Sequence, residues 1–166
     1  MFREMRRKAQ QIPQETCEEI LRKNTSGVLS LAGDDGYPYW VPLSYCYEKG
    51  KLIFHCAKTG HKIDAVRRSP KASFCVIDRD EIRAEEYTTY FRSVIVFGMV
   101  RIAENDTEKQ ELIEALAKKY HPEDTEEHRR EAIGRELRNL CILEMTVEHI
   151  SGKEAIELVR MREKQI

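Results

Sequence analysis

Phe54-His55-Cys56-Ala57-Lys58-Thr59-Gly60-His61-Lys62-Ile63 turns an apolar strand into a helix through a junction that carries two histidines and two lysines. Backbone N–H groups at a helix start have no intrahelical partner, and the macrodipole is positive there. Lys58, Lys62 and His61 add charge at the same point, so the junction suits a phosphate group. A lysine before the helix and another in its first turn run against the macrodipole preference, a local conflict expected where an anion completes a site. A solvated helix start with no ligand has the same composition. Lys51 to Phe54 reads as the strand that anchors the junction on a sheet, and a phosphorylated small molecule is the first ligand class to consider.

Outward from this junction the chain reads mostly as strands. Pro13 suits a first helical turn, and Cys17, Ile20 and Leu21 place apolar groups on one helix face until Asn24. Val28 to Ala32 reads as a buried strand, Gly33-Asp34-Asp35-Gly36 as a turn, and Pro38 to Tyr47 as a second strand. There Tyr39, Val41, Leu43, Tyr45 and Tyr47 share one face, and Trp40, Pro42, Ser44 and Cys46 the other. Pro42 cannot donate to a ladder, which predicts an edge, a bulge or the approach of something other than a strand.

After Glu48-Lys49-Gly50 comes the third strand, Lys51 to Cys56, then a helix from Gly60 to about Arg68, where Pro70 disfavours helical geometry at Ser69. Lys71 to Ile77 is a fourth strand. The polar stretch Asp78 to Thr89 reads equally as a loop or an irregular helix. Phe91 to Ile102 is a long fifth strand, with Gly98 marking a bulge or close approach. Helices about Thr107 to Tyr120 and Thr125 to Leu137 follow, then a sixth strand, Leu140 to Ile150. Ser151-Gly152-Lys153-Glu154 has capping-box spacing and predicts a last helical turn or two. The expectation is a mainly β fold with peripheral helices, a six-stranded antiparallel barrel whose closure removes exposed edges.

The 166 residues suit one domain, 1–166, with no repeat, linker or low-complexity tract. Charged residues at 34% and hydrophobic ones at 41% are ordinary for a globular chain. A net charge of −1 gives no bulk attraction to nucleic acid or an anionic membrane. No apolar run is long enough to span a bilayer, and the basic start Met1 to Lys8 lacks the apolar segment of a secretory signal. Five cysteines without a C-x-x-C pair read as reduced, mostly buried thiols in a cytoplasmic protein.

Other chemistries find less support. There is no G-x-G-x-x-G, P-loop or G-x-S-x-G. His55 and Cys56 are adjacent on a strand and face opposite ways, so no metal is expected there. His121, His128 and His149 read as solvated, and Glu126 to Glu131 as an exposed charged helix face. Tyr37, Tyr39, Trp40, Tyr45 and Tyr47 read as barrel core and rim, surfaces on which a planar ligand can also stack.

The order Gly27 to Leu31, Asp35-Gly36-Tyr37-Pro38, Val41-Pro42-Leu43-Ser44-Tyr45, Ile53 to Ala57 and Gly60-His61-Lys62 resembles the FMN-binding split-barrel family. That family includes pyridoxamine 5′-phosphate oxidase and the flavin reductases. Ser93 to Val100 and His149 to Glu154 extend the resemblance to its nitroimidazole-resistance branch, over about residues 10 to 157. The resemblance implies a six-stranded antiparallel split β-barrel that forms a homodimer, with FMN at the interface. It implies a phosphate site at Ala57, Lys58, Gly60, His61 and Lys62, with Lys62 and His61 the direct contacts. Pro42, Leu43, Ser44 and Tyr45 match the strand along the ring edge, and His55 and Cys56 the strand beside ring and ribityl chain. Ser93 matches a strand near the flavin across the dimer. His55 corresponds to a histidine close to the flavin and is the implied catalytic residue. NADH or NADPH would serve as a transient donor to a flavin-dependent oxidoreductase acting on a nitroaromatic or quinone. A barrel that only holds flavin or haem, with His55 or His61 as haem ligand, agrees with the same residues, as does a dimer without ligand. Thr59-Gly60-His61-Lys62 replaces the oxidases' Ser-Arg-Lys cluster, and Arg162 to Ile166 lacks their Arg-x-His motif, so vitamin B6 oxidation is not expected.

Overall fold

The computed structural model describes residues 1–164; the last two positions of the stretch compared with the Arg-x-His motif lie outside them. A two-residue strand β1 (Gln11–Ile12) precedes helix α1 (Gln14–Lys23). Then come β2 (Ser26–Ala32), β3 (Pro38–Ser44), β4 (Cys46–Glu48), β5 (Lys51–Ala57), α2 (His61–Arg68), β6 (Lys71–Arg83) and β7 (Thr88–Ile102). Helices α3 (Asp106–Tyr120) and α4 (Glu126–Glu136) lead to β8 (Leu140–Glu154) and α5 (Ile156–Glu163). Among the described residues no helix is long and apolar enough to cross a membrane.

The strands form one antiparallel sheet in the order β3-β2-β6-β7-β8-β5-β4, with β1 on β8. The expected second strand is two strands, because it changes partner at Tyr45. Pro38 to Ser44 pairs with β2, whereas Cys46 to Glu48 pairs with β5. Since β3 and β4 are consecutive, the two ends of the sheet meet at Tyr45 and the sheet curls into a barrel with one open seam. The barrel class is as expected; this partner change and the short β1 account for eight strands instead of six.

The interior holds the inward rows Leu52 and Phe54, Leu143 and Met145, Val94 and Val96, and Leu29 and Leu31. Phe74 sits between Tyr45 and Phe54, with ring centroids 4.8 and 5.2 Å away. A second apolar cluster lies outside the barrel, where Cys46, Ile53 and Ile142 receive Ile113 and Leu116 of α3 and Ile133 of α4. All five cysteines are free thiols; four are buried and Cys75 is only partly so.

Two segments depart from expectation. Asp78 to Thr89 is neither a loop nor an irregular helix: β6 and β7 continue as a paired arm closed by a short 3-10 turn at Ala84–Glu86. Ser151 to Glu154 does not cap a helix. It is the end of β8, paired with β7 on one side and β1 on the other, and α5 starts only at Ile156. Gly98 marks the bulge its position predicts. The ladder steps from Phe97↔His149 to Gly98↔Val147, skipping Glu148. A Cβ on Gly98 would stand 2.0 Å from the Thr146 carbonyl oxygen.

Candidate functional site

The open seam follows from the partner change. Cys46 pairs with Ile53 and Glu48 with Lys51, and continuing that register would set Ser44 against His55. At Tyr45 the strand swings away. Pro38 to Ser44 then has β2 on one edge only, and the end of β5 past Ile53 has β8 on one edge only. The seam edges of Pro42 to Ser44 and of His55 to Ala57 are left without a strand, and backbone donors and acceptors of this kind bind the polar edge of a flat molecule.

Tyr45 fixes the turning point. It is fully buried, and its hydroxyl donates to the Leu21 carbonyl at 2.7 Å. Burial pushes its phenol well above the ordinary range, with the neighbouring Tyr120 acting in the same direction, so it stays a neutral donor. Tyr120, the last residue of α3, places its hydroxyl 3.1 Å from the Tyr45 N–H and also bonds the Thr25 carbonyl. Lys119 donates to the Asn24 carbonyl and lies 4.1 Å from the centre of the Tyr45 ring.

Alternation sorts the implied residues. Leu43 packs against the interior, and Tyr45 and Cys56 are inside it, so their side chains turn away from the outer surface. Pro42, Ser44, His55 and Ala57 are exposed on the outer surface. Burial pushes the Cys56 thiol up to about 11, with Lys62 pulling the other way, so it is neither a thiolate nucleophile nor a ready metal ligand. Among the described residues no three His, Cys, Asp or Glu side chains gather as a metal site.

The junction after β5 has the form its sequence suggests. Gly60 has φ 118°, a backbone region that favours glycine, and α2 begins at His61 with no side-chain cap on its first N–H groups. His61 is held from two sides: its ring stacks on Tyr39 at 4.0 Å, and its Nε2 is 3.5 Å from Asp34. Asp34 also receives Arg68 at 2.8 Å, so this carboxylate ties the far end of α2 to the β2–β3 turn. Among the described residues neither Lys58 nor Lys62 has an acidic partner, and Lys62 is half-buried. Uncapped N–H groups plus two ammonium groups without an acidic partner among the described residues, at one end of an open seam, fit a phosphate group.

Ser93 is not brought to this place. It lies on the outer face of β7, with β6 and β2 between it and β3. The sequence reading also missed four contributors. Ile113, Leu116, Ala117 and Tyr120 of α3 line one pocket with Ser44 and His55. Their i, i+3, i+4, i+7 spacing was the available signal, although it reads equally as core packing.

The fold is shared with solved structures of low sequence identity. A candidate 5-nitroimidazole antibiotic resistance protein from Bacteroides thetaiotaomicron superposes with a TM-score of 0.73 at 19% identity, covering 87% of this chain and 86% of the other. An FAD and haem binding protein from Mycobacterium smegmatis gives 0.71 at 19% identity over 88% of this chain and 73% of the other. An FAD-binding protein from Mesorhizobium loti gives 0.63 at 24% identity over 87% and 96%. No curated protein matches the chain by sequence. The family model described as pyridoxamine 5′-phosphate oxidase matches residues 13–154, nearly the whole barrel, and the chain therefore belongs to that family of flavin-binding split barrels.

Proposed function

We propose that the protein is a homodimeric FMN-dependent oxidoreductase that takes electrons from NADH or NADPH and reduces a small electrophile of the nitroaromatic or quinone kind. The observation that carries this reading is the uncapped start of α2, where, among the described residues, Lys58 and Lys62 lack acidic partners at one end of the seam between β3 and β5. When bound, FMN would supply the redox chemistry, accepting hydride from the nicotinamide and delivering it onward.

The chain's own residues do the rest. Lys62, Lys58 and the N–H groups of His61 and Lys62 hold the phosphate. His61 shapes the pocket more than it reaches into it, because its ring stacks on Tyr39 and its Nε2 lies 3.5 Å from Asp34. Backbone groups of Pro42 to Ser44 meet the ring edge. His55, exposed and outside the barrel, is placed to donate a hydrogen bond or a proton to a reducible oxygen beside the ring. Vitamin B6 phosphate is not the substrate proposed, since Thr59-Gly60-His61-Lys62 stands here in place of the oxidases' Ser-Arg-Lys cluster.

The exposed apolar face of the sheet supports the dimer. Ile77, Ile95 and Phe97 project from β6 and β7, and Ser93 is on the same face. A second copy packed there would cover these groups and bring Ser93 near the partner's seam. The test is FMN titration of apo-protein, followed by anaerobic reduction with each nicotinamide and reoxidation by nitro and quinone acceptors. Tight FMN uptake and bleaching by a nicotinamide support the reading. Failure to bind FMN, or a haem spectrum in the purified protein, overturns it.

A further inference from the structure

Helix α3 does more than cover the barrel. Its stripe Ile113, Leu116, Ala117 and Tyr120 stands over the outer surface where β4 gives way to the seam, and with Ser44 and His55 it lines an open-sided pocket of about 350 Å³. Four of the six lining residues are helix side chains that are wholly or largely hydrocarbon. No carboxylate, lysine or arginine lines the pocket.

The polar inventory is short. The Tyr120 hydroxyl is committed to the Thr25 carbonyl and the Tyr45 N–H. That leaves the Ser44 hydroxyl and the His55 imidazole, which line the same pocket from the two strands that part at Tyr45. Each can donate a hydrogen bond, and both lie on the pocket's sheet side.

Size narrows the occupant. A cavity of about 150 Å³ is enough for benzene, and the volume here is a little over twice that. One substituted ring or one fused pair of rings fits inside this open-sided pocket. Charge narrows it further, because an anionic substituent would lose water without meeting a cation.

From this geometry we infer that the α3 pocket is the acceptor subsite. It admits a neutral aromatic or quinonoid ring of one or two cycles, whose oxygen accepts hydrogen bonds from Ser44 and His55, and α3 sets the size limit. This rests on the oxidoreductase reading for its purpose but not for its binding chemistry.

Binding is tested on the full chain without added flavin, by saturation-transfer NMR and titration with 2-methyl-1,4-naphthoquinone, nitrobenzene and the anionic 4-nitrobenzoate. The two neutral probes are expected to bind and 4-nitrobenzoate to bind at least about tenfold more weakly, a difference of about 1.4 kcal/mol. Ala117→Phe puts a ring into the pocket and should abolish binding of both neutral probes while leaving the FMN titration unchanged. Ala117→Leu makes the same comparison with a smaller side chain if the phenylalanine variant melts early. His55→Gln should weaken the quinone without changing the size limit.

The inference is overturned if the neutral probes do not bind, if Ala117→Phe folds and binds them as the parent does, or if 4-nitrobenzoate binds equally well. It is also overturned if FMN and probe affinity fall together in Ala117→Phe, since the pocket would then belong to the flavin. A chain that binds the probes but not FMN sustains the subsite and removes the cofactor reading. One that binds FMN but not the probes does the reverse.

Discussion

Lys62 is half-buried at the start of α2, without an acidic partner among the described residues. Its ammonium therefore contributes little to folding, and its value lies in what it can bind. A hydrogen bond to a charged group is worth about 1.5–3 kcal/mol, so Lys62→Ala should weaken FMN binding by about 10- to 100-fold. The denaturation midpoint should move within about 0.5 kcal/mol of the parent, as for a surface change. Flavin fluorescence titration and urea unfolding on the same preparation decide it; equal losses in both would make Lys62 structural. Gly98 is the opposite case. A methyl there would meet the Thr146 carbonyl oxygen at 2.0 Å, backbone that cannot swing aside. Gly98→Ala should cost about 3 kcal/mol by overpacking, read as a lower urea midpoint. Of these two residues Gly98 was the easier to read, because an isolated glycine inside a strand has few explanations. Lys62 looks the same in sequence whether or not an anion sits beside it.

Asp78 joins three elements. It sits at the bulge where β6 skips a residue between Ile77 and Arg79, and its side chain is almost fully buried. Lys23 reaches it at 2.7 Å and Asn24 at 2.9 Å from the end of α1, and Arg92 of β7 at 3.6 Å. Burial alone would raise its pKa, but hydrogen bonds from Lys23 and Asn24 and the charges of Lys23 and Arg92 outweigh it and hold the carboxyl below its ordinary value. A carboxylate whose folded pKa is depressed stabilises the protein fully above its unfolded value, and that stabilisation is lost as pH falls through the folded one. Asp78→Asn should therefore lower the urea midpoint at pH 7 and give a shallower decline than the parent below about pH 4. An unchanged acid slope would show that α1 docks without this group. The same neighbourhood explains why the arm beyond Asp78 was hidden in the sequence. Residues 78–89 leave the barrel and bury no apolar face, so the alternation that marks a strand is missing. Arg79 and Arg83 bind Glu81 between them and lie over the Tyr90 ring at 5.8 and 5.0 Å, so charge and aromatic contacts hold the pairing. At Ser151 to Glu154 the local signal was real but lost to distant contacts. β1 and β7 both claim that segment, and Gly152 lets α1 approach so closely that a Cβ would stand 2.3 Å from the Cys17 sulfur.

The barrel has an outer face that a single chain leaves wet. Ile77 and Ile95 are 64% and 40% exposed, and Phe97, paired with Ser73 and His149 across its two ladders, is 37% exposed. Phe2 stacks on His149 at 4.7 Å and covers only one end of this surface. Trp40, 68% exposed on the seam strand, extends the same apolar surface toward the proposed flavin site. Contiguous apolar patches of this kind mark interaction surfaces, and a two-fold arrangement is the simplest way for identical patches to cover each other. The homodimer we propose then has a consequence for binding as well as for mass. Ser93 lies on this face, with β6 and β2 between it and β3 and with β8 between it and β5, and a second copy packed here would carry it toward the proposed flavin site of its partner. Ile95→Glu places a charge at the centre of the patch without touching the seam, the α2 junction or the α3 pocket. Light scattering should show the parent at twice the 19.5 kDa chain mass and the variant at the chain mass. FMN affinity of the variant should fall at least about tenfold, if the proposed interface carries part of the flavin site. A variant that becomes monomeric yet binds FMN as the parent does would place the whole flavin site within one chain, and a parent that is itself monomeric would remove the interface.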